Sequence, residues 1–112
     1  MVLRKIPTNK AATAGTNYLF IDIPVGAALI SIAAQDHSRS VQTRIDLARI
    51  SDNPADGDLD AIPLFHNMQD GPYVTLWHAA QPWEVSDWRR VVATFYECTA
   101  LDALSMAVAY DD

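Results

Sequence analysis

The feature that most constrains the fold is a strict two-residue alternation between Ser40 and Arg49. Every second residue is apolar or β-branched, and the residues between are mostly polar; the first set is Val41, Thr43, Ile45 and Leu47. Successive side chains of a β-strand point to opposite faces, so this pattern predicts a half-buried strand. A helix would place Leu47 on its polar side. The segment therefore predicts a sheet that covers an apolar interior.

Similar patterns recur along the chain between turns rich in proline, glycine and aspartate. β-Branched and aromatic residues dominate them, as is typical of strands. The predicted strands are Tyr18–Ile23, Ala28–Ala34, Ser40–Arg49, Ala61–His66, Tyr73–Ala80 and Trp88–Cys98, although the alanines of Ala28–Ala34 also allow a short helix. Bulky residues on both faces of Tyr73–Ala80 predict a central strand. Pro63 restricts Ala61–His66 to a sheet edge or a bulge.

The segment from residue 99 to residue 110 allows two interpretations. Thr99 with Asp102 matches a helix capping box, whereas the large apolar residues from Leu104 to Tyr110 occupy one face of a strand. We favour the strand because four large residues share one side. About seven or eight short strands without a long helix predict an all-β antiparallel β-sandwich of jelly-roll type.

The N-terminal residues differ from the rest of the chain. Residues 1–17 are rich in threonine, asparagine, alanine and lysine and show no hydrophobic period, which predicts an extended arm. Residues 18–112 would then form a single sandwich domain. Because chain ends are usually disordered unless something holds them, we expect the arm to pack on a neighbouring subunit.

Composition and charge exclude several classes of protein. Half of the 112 residues are apolar, which argues against a disordered chain. Fourteen acidic and eight basic residues give a net charge of −6, a field that repels phosphate backbones and anionic lipid. We therefore expect neither nucleic acid nor a membrane as partner. The first residues lack the apolar region of a signal peptide, so we expect no signal peptide.

No motif points to catalysis or to a cofactor. Cys98 is the only cysteine and is predicted to be a buried, inert thiol. His37, His66 and His78 are not spaced for one strand or helix face, so no metal site is predicted. The acidic loop over residues 52–60 is best explained as a solvated turn, with calcium binding left open. We predict a non-enzymatic protein without metal or cofactor.

Aromatic residues concentrate in the second half of the chain and suggest a binding surface. Exposed rings can stack on sugars or become buried against another protein. Core packing is the simpler interpretation for Trp77 and Trp88, whereas Trp83 falls in an expected turn and is the ring that we expect at the surface. The candidate glycan-binding residues are Tyr73, Trp77 and Trp83.

Two short stretches resemble known types of protein. The stretch from Trp88 to Phe95 (WRRVVATF), followed by a turn and a strand ending at Tyr110, is similar to the closing strands of jelly-roll carbohydrate-binding modules. The passage from Ile23 to Ala27 (IPVGA) resembles turn-to-strand passages in small β-sandwich proteins of phage particles, such as head-decoration and fibre domains. These resemblances imply a sandwich that binds either a glycan or a virion surface.

The phage resemblance suits an acidic domain with an extended arm better than the carbohydrate-binding resemblance does. It implies a non-enzymatic assembly protein, a small virion component of the decoration or fibre type that binds copies of itself and other virion proteins. The expected location is the virion, or otherwise the cytoplasm. The predicted contact residues are Leu3, Arg4 and Ile6 of the arm together with Trp83. A module that binds a surface glycan is the alternative.

Overall fold

The computed structural model describes residues 2–39, 41–51, 61–67, 74–84 and 87–112. These residues form antiparallel β-strands and no helix, and so contain no helical segment able to cross a lipid bilayer. The strands are β1 (Leu3–Ala11), β2 (Gly15–Asp22), β3 (Ala28–Asp36), β4 (Thr43–Ala48), β5 (Ala61–Asn67), β6 (Val74–Glu84), β7 (Arg90–Cys98) and β8 (Ala103–Asp111). The prediction of an all-β antiparallel sandwich is confirmed.

The strands pair as one long hairpin that has been rolled up. The four pairings β1 with β8, β2 with β7, β3 with β6 and β4 with β5 are those of a single hairpin closed between β4 and β5. Rolling adds two further pairings, β3 with β8 and β4 with β7. Two four-stranded sheets result, in the orders β1-β8-β3-β6 and β2-β7-β4-β5. This arrangement is the jelly roll that the sequence predicts.

The core lies between the two sheets and follows the alternation read from the sequence. Ile45 and Leu47 on β4 are buried, as is Phe95 on β7. The even-numbered residues of β8 from Leu104 to Tyr110 are also buried, so the strand interpretation of residues 99–110 is confirmed and the helix is wrong. Each large apolar side chain buried in this way stabilises the fold by about 1.5–3 kcal/mol.

The N-terminal segment is a sheet strand rather than a separate arm. Leu3–Ala11 is extended, as expected, but it forms the edge strand β1 and pairs along its whole length with β8. The residues from Gly15 to Asn17 begin β2. The hydrophobic pattern does not reveal β1 because Ile6 packs against the core while most of its neighbours are exposed.

Two further predictions concern the position of a strand within its sheet, and the structure confirms one of them and shows the other to be wrong. The predicted central position of Tyr73–Ala80 is wrong, because β6 is an edge strand. Its bulky residues divide between the two sides: Trp77 packs against the core, and Leu76 is 56% exposed. The strand containing Pro63 is an edge strand as predicted, and its register with β4 shifts between Ile45 and Asp46.

Candidate functional site

On the outer face of the sheet formed by β2, β7, β4 and β5, long side chains cover the central residue Val92. Val92 lies outside the core cluster and yet is fully buried. It pairs in register with Phe20 on one side and Asp46 on the other. The guanidinium carbon of Arg90 lies 4.5 Å from the centre of the Phe20 ring, and its Nε lies 2.7 Å from a carboxylate oxygen of Asp22. Long side chains of the sheet itself therefore shield Val92 from water, while the Phe20 ring remains 47% exposed.

The outer face of the other sheet has small side chains at its middle in the described part of the chain. There its two central strands, β8 and β3, carry alanine and serine at the outward positions, whereas the edge strands carry longer side chains. The result is a shallow open trough of about 250 Å³. We call this surface the alanine–serine trough; it is lined by Lys5, Ser31, Ile32, Ala33, Leu76, His78, Ala107 and Ala109.

The floor of the alanine–serine trough has an unusual composition for a face that meets water. Outward positions of an antiparallel sheet with one solvated face are normally polar. Here the register sets Ala109 beside Ser31 and Ala107 beside Ala33, so four small side chains are contiguous. Among the lining residues, the permanent charge is on Lys5, in the wall that β1 provides. Within the described part of the chain, the trough is an open, largely apolar surface with one positive wall.

The structure separates the predicted contact residues. Leu3 is 68% exposed, and Arg4 forms an ion pair of 3.2 Å with Asp112. Ile6 packs against the core, so its side chain contributes to the domain interior. Trp83 is 38% exposed on β6, at the opposite edge of the sheet from Leu3. These four residues therefore do not form one surface.

The predicted glycan-binding aromatic residues do not form a flat platform in the described part of the chain. The rings of Trp77 and Trp83 have centroids 6.2 Å apart and an angle of 47° between their planes. Trp77 packs against the core, which leaves Trp83 as the more accessible ring. Tyr73 and the acidic loop over residues 52–60 lie outside the described residues.

A polar cluster lies at the end of the sandwich where β3 and β7 finish and β8 begins. It consists of Asp36, Cys98 and Asp102, all buried, whose nearest carboxylate oxygens and thiol sulfur lie within 4.8 Å of one another. Backbone hydrogen bonds hold the neighbouring turns together: Ala12 donates to the Asp102 carbonyl at 3.0 Å, and His37 donates to the Ala103 carbonyl at 2.8 Å. We call this group the acid–thiol cluster.

One carboxylate of the cluster is well satisfied. Asp102 accepts a hydrogen bond from the Thr99 backbone N–H at 2.7 Å. Arg39 donates to its two oxygens from Nε at 3.3 Å and from Nη2 at 3.2 Å. Burial opposes ionisation of Asp102, but these hydrogen bonds outweigh burial and hold its pKa below the ordinary value. Asp102 is therefore a stable anion inside the fold.

For the other two members of the cluster, Asp36 and Cys98, the surroundings disfavour the charged form. Oδ1 of Asp36 accepts a hydrogen bond from the Ser38 N–H at 2.9 Å, whereas Oδ2 is buried without a hydrogen-bond partner in the described structure. Burial raises the pKa of Asp36, and the charge of Asp102 raises it further. Burial likewise raises the pKa of the Cys98 thiol, with both aspartates adding to the effect. The cluster therefore holds one anion firmly and disfavours a second.

Sequence reasoning missed both surfaces for the same reason. Asp36 and Cys98 are more than sixty positions apart in the chain, and the trough combines residues from four strands. Only strand register brings such residues together, and no local spacing encodes it. Comparison with known proteins adds no guidance, since no protein-family model matches the chain and no curated protein matches it in sequence.

The unpartnered oxygen of Asp36 leads to a stability prediction. Asp36→Asn replaces a buried carboxylate by an amide that can donate a hydrogen bond to Asp102. We expect the free energy of unfolding to rise by about 1–2 kcal/mol in mildly alkaline, chelator-containing buffer, where the carboxylate is most strongly ionised. Urea unfolding followed by tryptophan fluorescence measures this difference.

Asp46→Asn is the matched control. Asp46 is also buried, but it is paired with Arg44 at 2.9 Å. Its replacement should lower the free energy of unfolding by about 1–3 kcal/mol, because the pair loses its charge. If both variants were destabilised to the same extent, Asp36 would be an ordinary paired carboxylate and the description of the cluster would be wrong.

Proposed function

We propose that this protein is a non-enzymatic assembly component, a small virion protein of phage that docks on copies of itself and on other particle subunits. The observation that carries the proposal is the alanine–serine trough, a largely apolar stretch of sheet that the described residues leave open. Contiguous apolar surface on a small domain commonly marks a contact with another protein. On the other sheet, by contrast, long side chains cover the central outward residue Val92.

The size of the face favours many weak contacts over one obligate dimer. Four strands of about nine residues, at roughly 4.8 Å between strands and 3.3 Å per residue, present an area of about 600 Å². A stable pairwise interface buries about 800 Å² on each partner. A contact of this size can still hold a subunit in place when it is repeated on a lattice. Several linked contacts then act at once, and the overall affinity exceeds that of each contact alone. A particle component meets that condition.

The distribution of charge supports docking between copies. β1 holds Arg4, Lys5 and Lys10 and no acidic residue, a charge of +3, so the rest of the chain carries −6 − 3 = −9. Lys5 forms part of the wall of the alanine–serine trough. The positive wall of one copy is thus complementary to the acidic surface of another, an arrangement that favours head-to-tail contacts.

The edge strand β1 is better suited to docking through its face than through its backbone. Pro7 removes one backbone donor, and Lys5 and Lys10 place charges along the edge. Lysine and proline are the residues by which proteins protect an exposed edge from strand addition. The jelly-roll fold, which also occurs in capsid and lectin domains, supports the proposal by analogy of fold.

The trough yields a prediction about self-association. Ala107→Glu places a charge on the trough floor without touching the core, so it should weaken the contact between copies at least tenfold. Sedimentation velocity over a wide concentration range measures the association. The thermal midpoint of the variant should stay within a few degrees of the wild-type value, because the position is outward-facing.

Val25→Glu is the matched control, since Val25 is 78% exposed in the turn between β2 and β3 and receives the same charge. It should associate like the wild type. A wild-type chain that stays monomeric at all concentrations, or an association that Ala107→Glu leaves unchanged, would contradict docking through the trough. At the level of the particle, purified virions should contain the wild-type chain and lose Ala107→Glu.

Glycan binding is the second candidate function, and the exposed ring of Trp83 is the observation in its favour. Sugars that stack on Trp83 should quench tryptophan fluorescence in the wild type and not in Trp83→Ala. Screening a glycan array with the purified chain identifies the sugar. Binding that is unchanged in Trp83→Ala, or a blank array, would remove this candidate.

A further inference from the structure

We propose that the acid–thiol cluster binds one zinc ion through Asp36, Cys98 and Asp102. This site is separate from the alanine–serine trough and does not depend on the assembly proposal. Its residues come from the end of β3, the end of β7 and the turn that precedes β8.

The first argument is the convergence of three ligand atoms. One oxygen of each aspartate and the sulfur of Cys98 lie within 4.8 Å of one another, and all three residues are buried. Zinc bonds of about 2.0–2.3 Å place tetrahedral ligands roughly 3.3–3.8 Å apart. The three atoms therefore need to close by about 1.5 Å at most. Asp36 and Cys98 lie at strand ends and Asp102 lies in the turn before β8.

The second argument is the unsatisfied oxygen. Asp36 is 1% exposed, and its Oδ2 has no hydrogen-bond partner in the described structure. Its carboxyl group lies close enough to that of Asp102 to share a hydrogen bond, yet two carboxylates have no proton between them. A buried polar atom without a partner is costly, so something electropositive belongs there. A proton fills this position in the metal-free protein, and zinc replaces it.

The third argument is charge balance. With both aspartates ionised and Cys98 as thiolate, the cluster carries three negative charges. Arg39 is hydrogen-bonded to Asp102 and supplies one positive charge, which leaves two negative charges. A divalent cation neutralises that remainder. Buried charges are tolerated when they are paired in this way or coordinate a metal.

The ligand set selects zinc among the common divalent cations. A thiolate is a soft ligand that binds zinc and is a poor ligand for calcium or magnesium, which prefer six or more oxygens. Three protein ligands leave a fourth position for water. Carboxylate and thiolate ligands must lose their protons to bind a metal ion, so zinc binding strengthens as pH rises.

The test uses the full chain, stripped of metal with a chelator and then titrated with zinc chloride. Zinc should raise the thermal midpoint by several degrees, with a stoichiometry of one by isothermal titration calorimetry. Asp36→Asn and Cys98→Ala should each weaken binding at least tenfold. Asp46→Asn, a buried aspartate outside the cluster, should bind zinc like the wild type.

Cobalt gives an independent measurement on the wild-type chain, which needs no variant to fold. Bound Co²⁺ should show a thiolate-to-metal charge-transfer band in the near ultraviolet, and Cys98→Ala should lack it. Absence of zinc stabilisation, absence of the cobalt band, or zinc affinity retained in either Asp36→Asn or Cys98→Ala would overturn the site. A shared proton would then be the occupant of the cluster.

Discussion

The structure depends on one constraint, the pairing of each strand in the first half of the chain with its mirror partner in the second half. β1 with β8, β2 with β7, β3 with β6 and β4 with β5 are the rungs of one antiparallel hairpin. The apolar side of each strand then faces the interior, and the burial of residues such as Phe95 and Ile45 holds the two sheets together. The two candidate surfaces follow from the same pairing. It sets β1 and β6 at the two edges of the alanine–serine trough and brings the ends of β3 and β7 to one end of the sandwich.

Alternation of side chains revealed most of the strands, because burial of one face imposes a period of two. The prediction worked best where the two faces of a strand differ clearly in polarity, as between Val41 and Leu47. It failed at β1, where Ile6 packs against the core and most neighbouring residues are exposed. It also misplaced β6, since the outward Leu76 resembles a residue of a central strand and is in fact part of a trough wall. The position of an edge strand in its sheet is therefore harder to predict from its residues than that of a central strand.

The candidate surfaces were beyond the reach of sequence analysis for a different reason. Alanine and serine on one side of β8 look like weak strand residues until the register sets them beside Ser31 and Ala33. Cys98 looks like an isolated thiol until the same rolling sets it beside two aspartates. Both surfaces are products of long-range pairing. In the two proposals, the small residues would allow a close approach of another subunit, and a metal ion in the acid–thiol cluster would fasten the turns at one end of the domain.

Strand β1 must be an integral part of the sheet, because without it the trough has no positive wall and β8 becomes an open edge. Amide hydrogen exchange of the intact chain, resolved to single residues by nuclear magnetic resonance, tests this directly. We expect the amides of β1 that bond to β8 to exchange much more slowly than those of an unstructured peptide. Exchange at the unstructured rate throughout Leu3–Ala11 would show a free N-terminal arm and contradict the account.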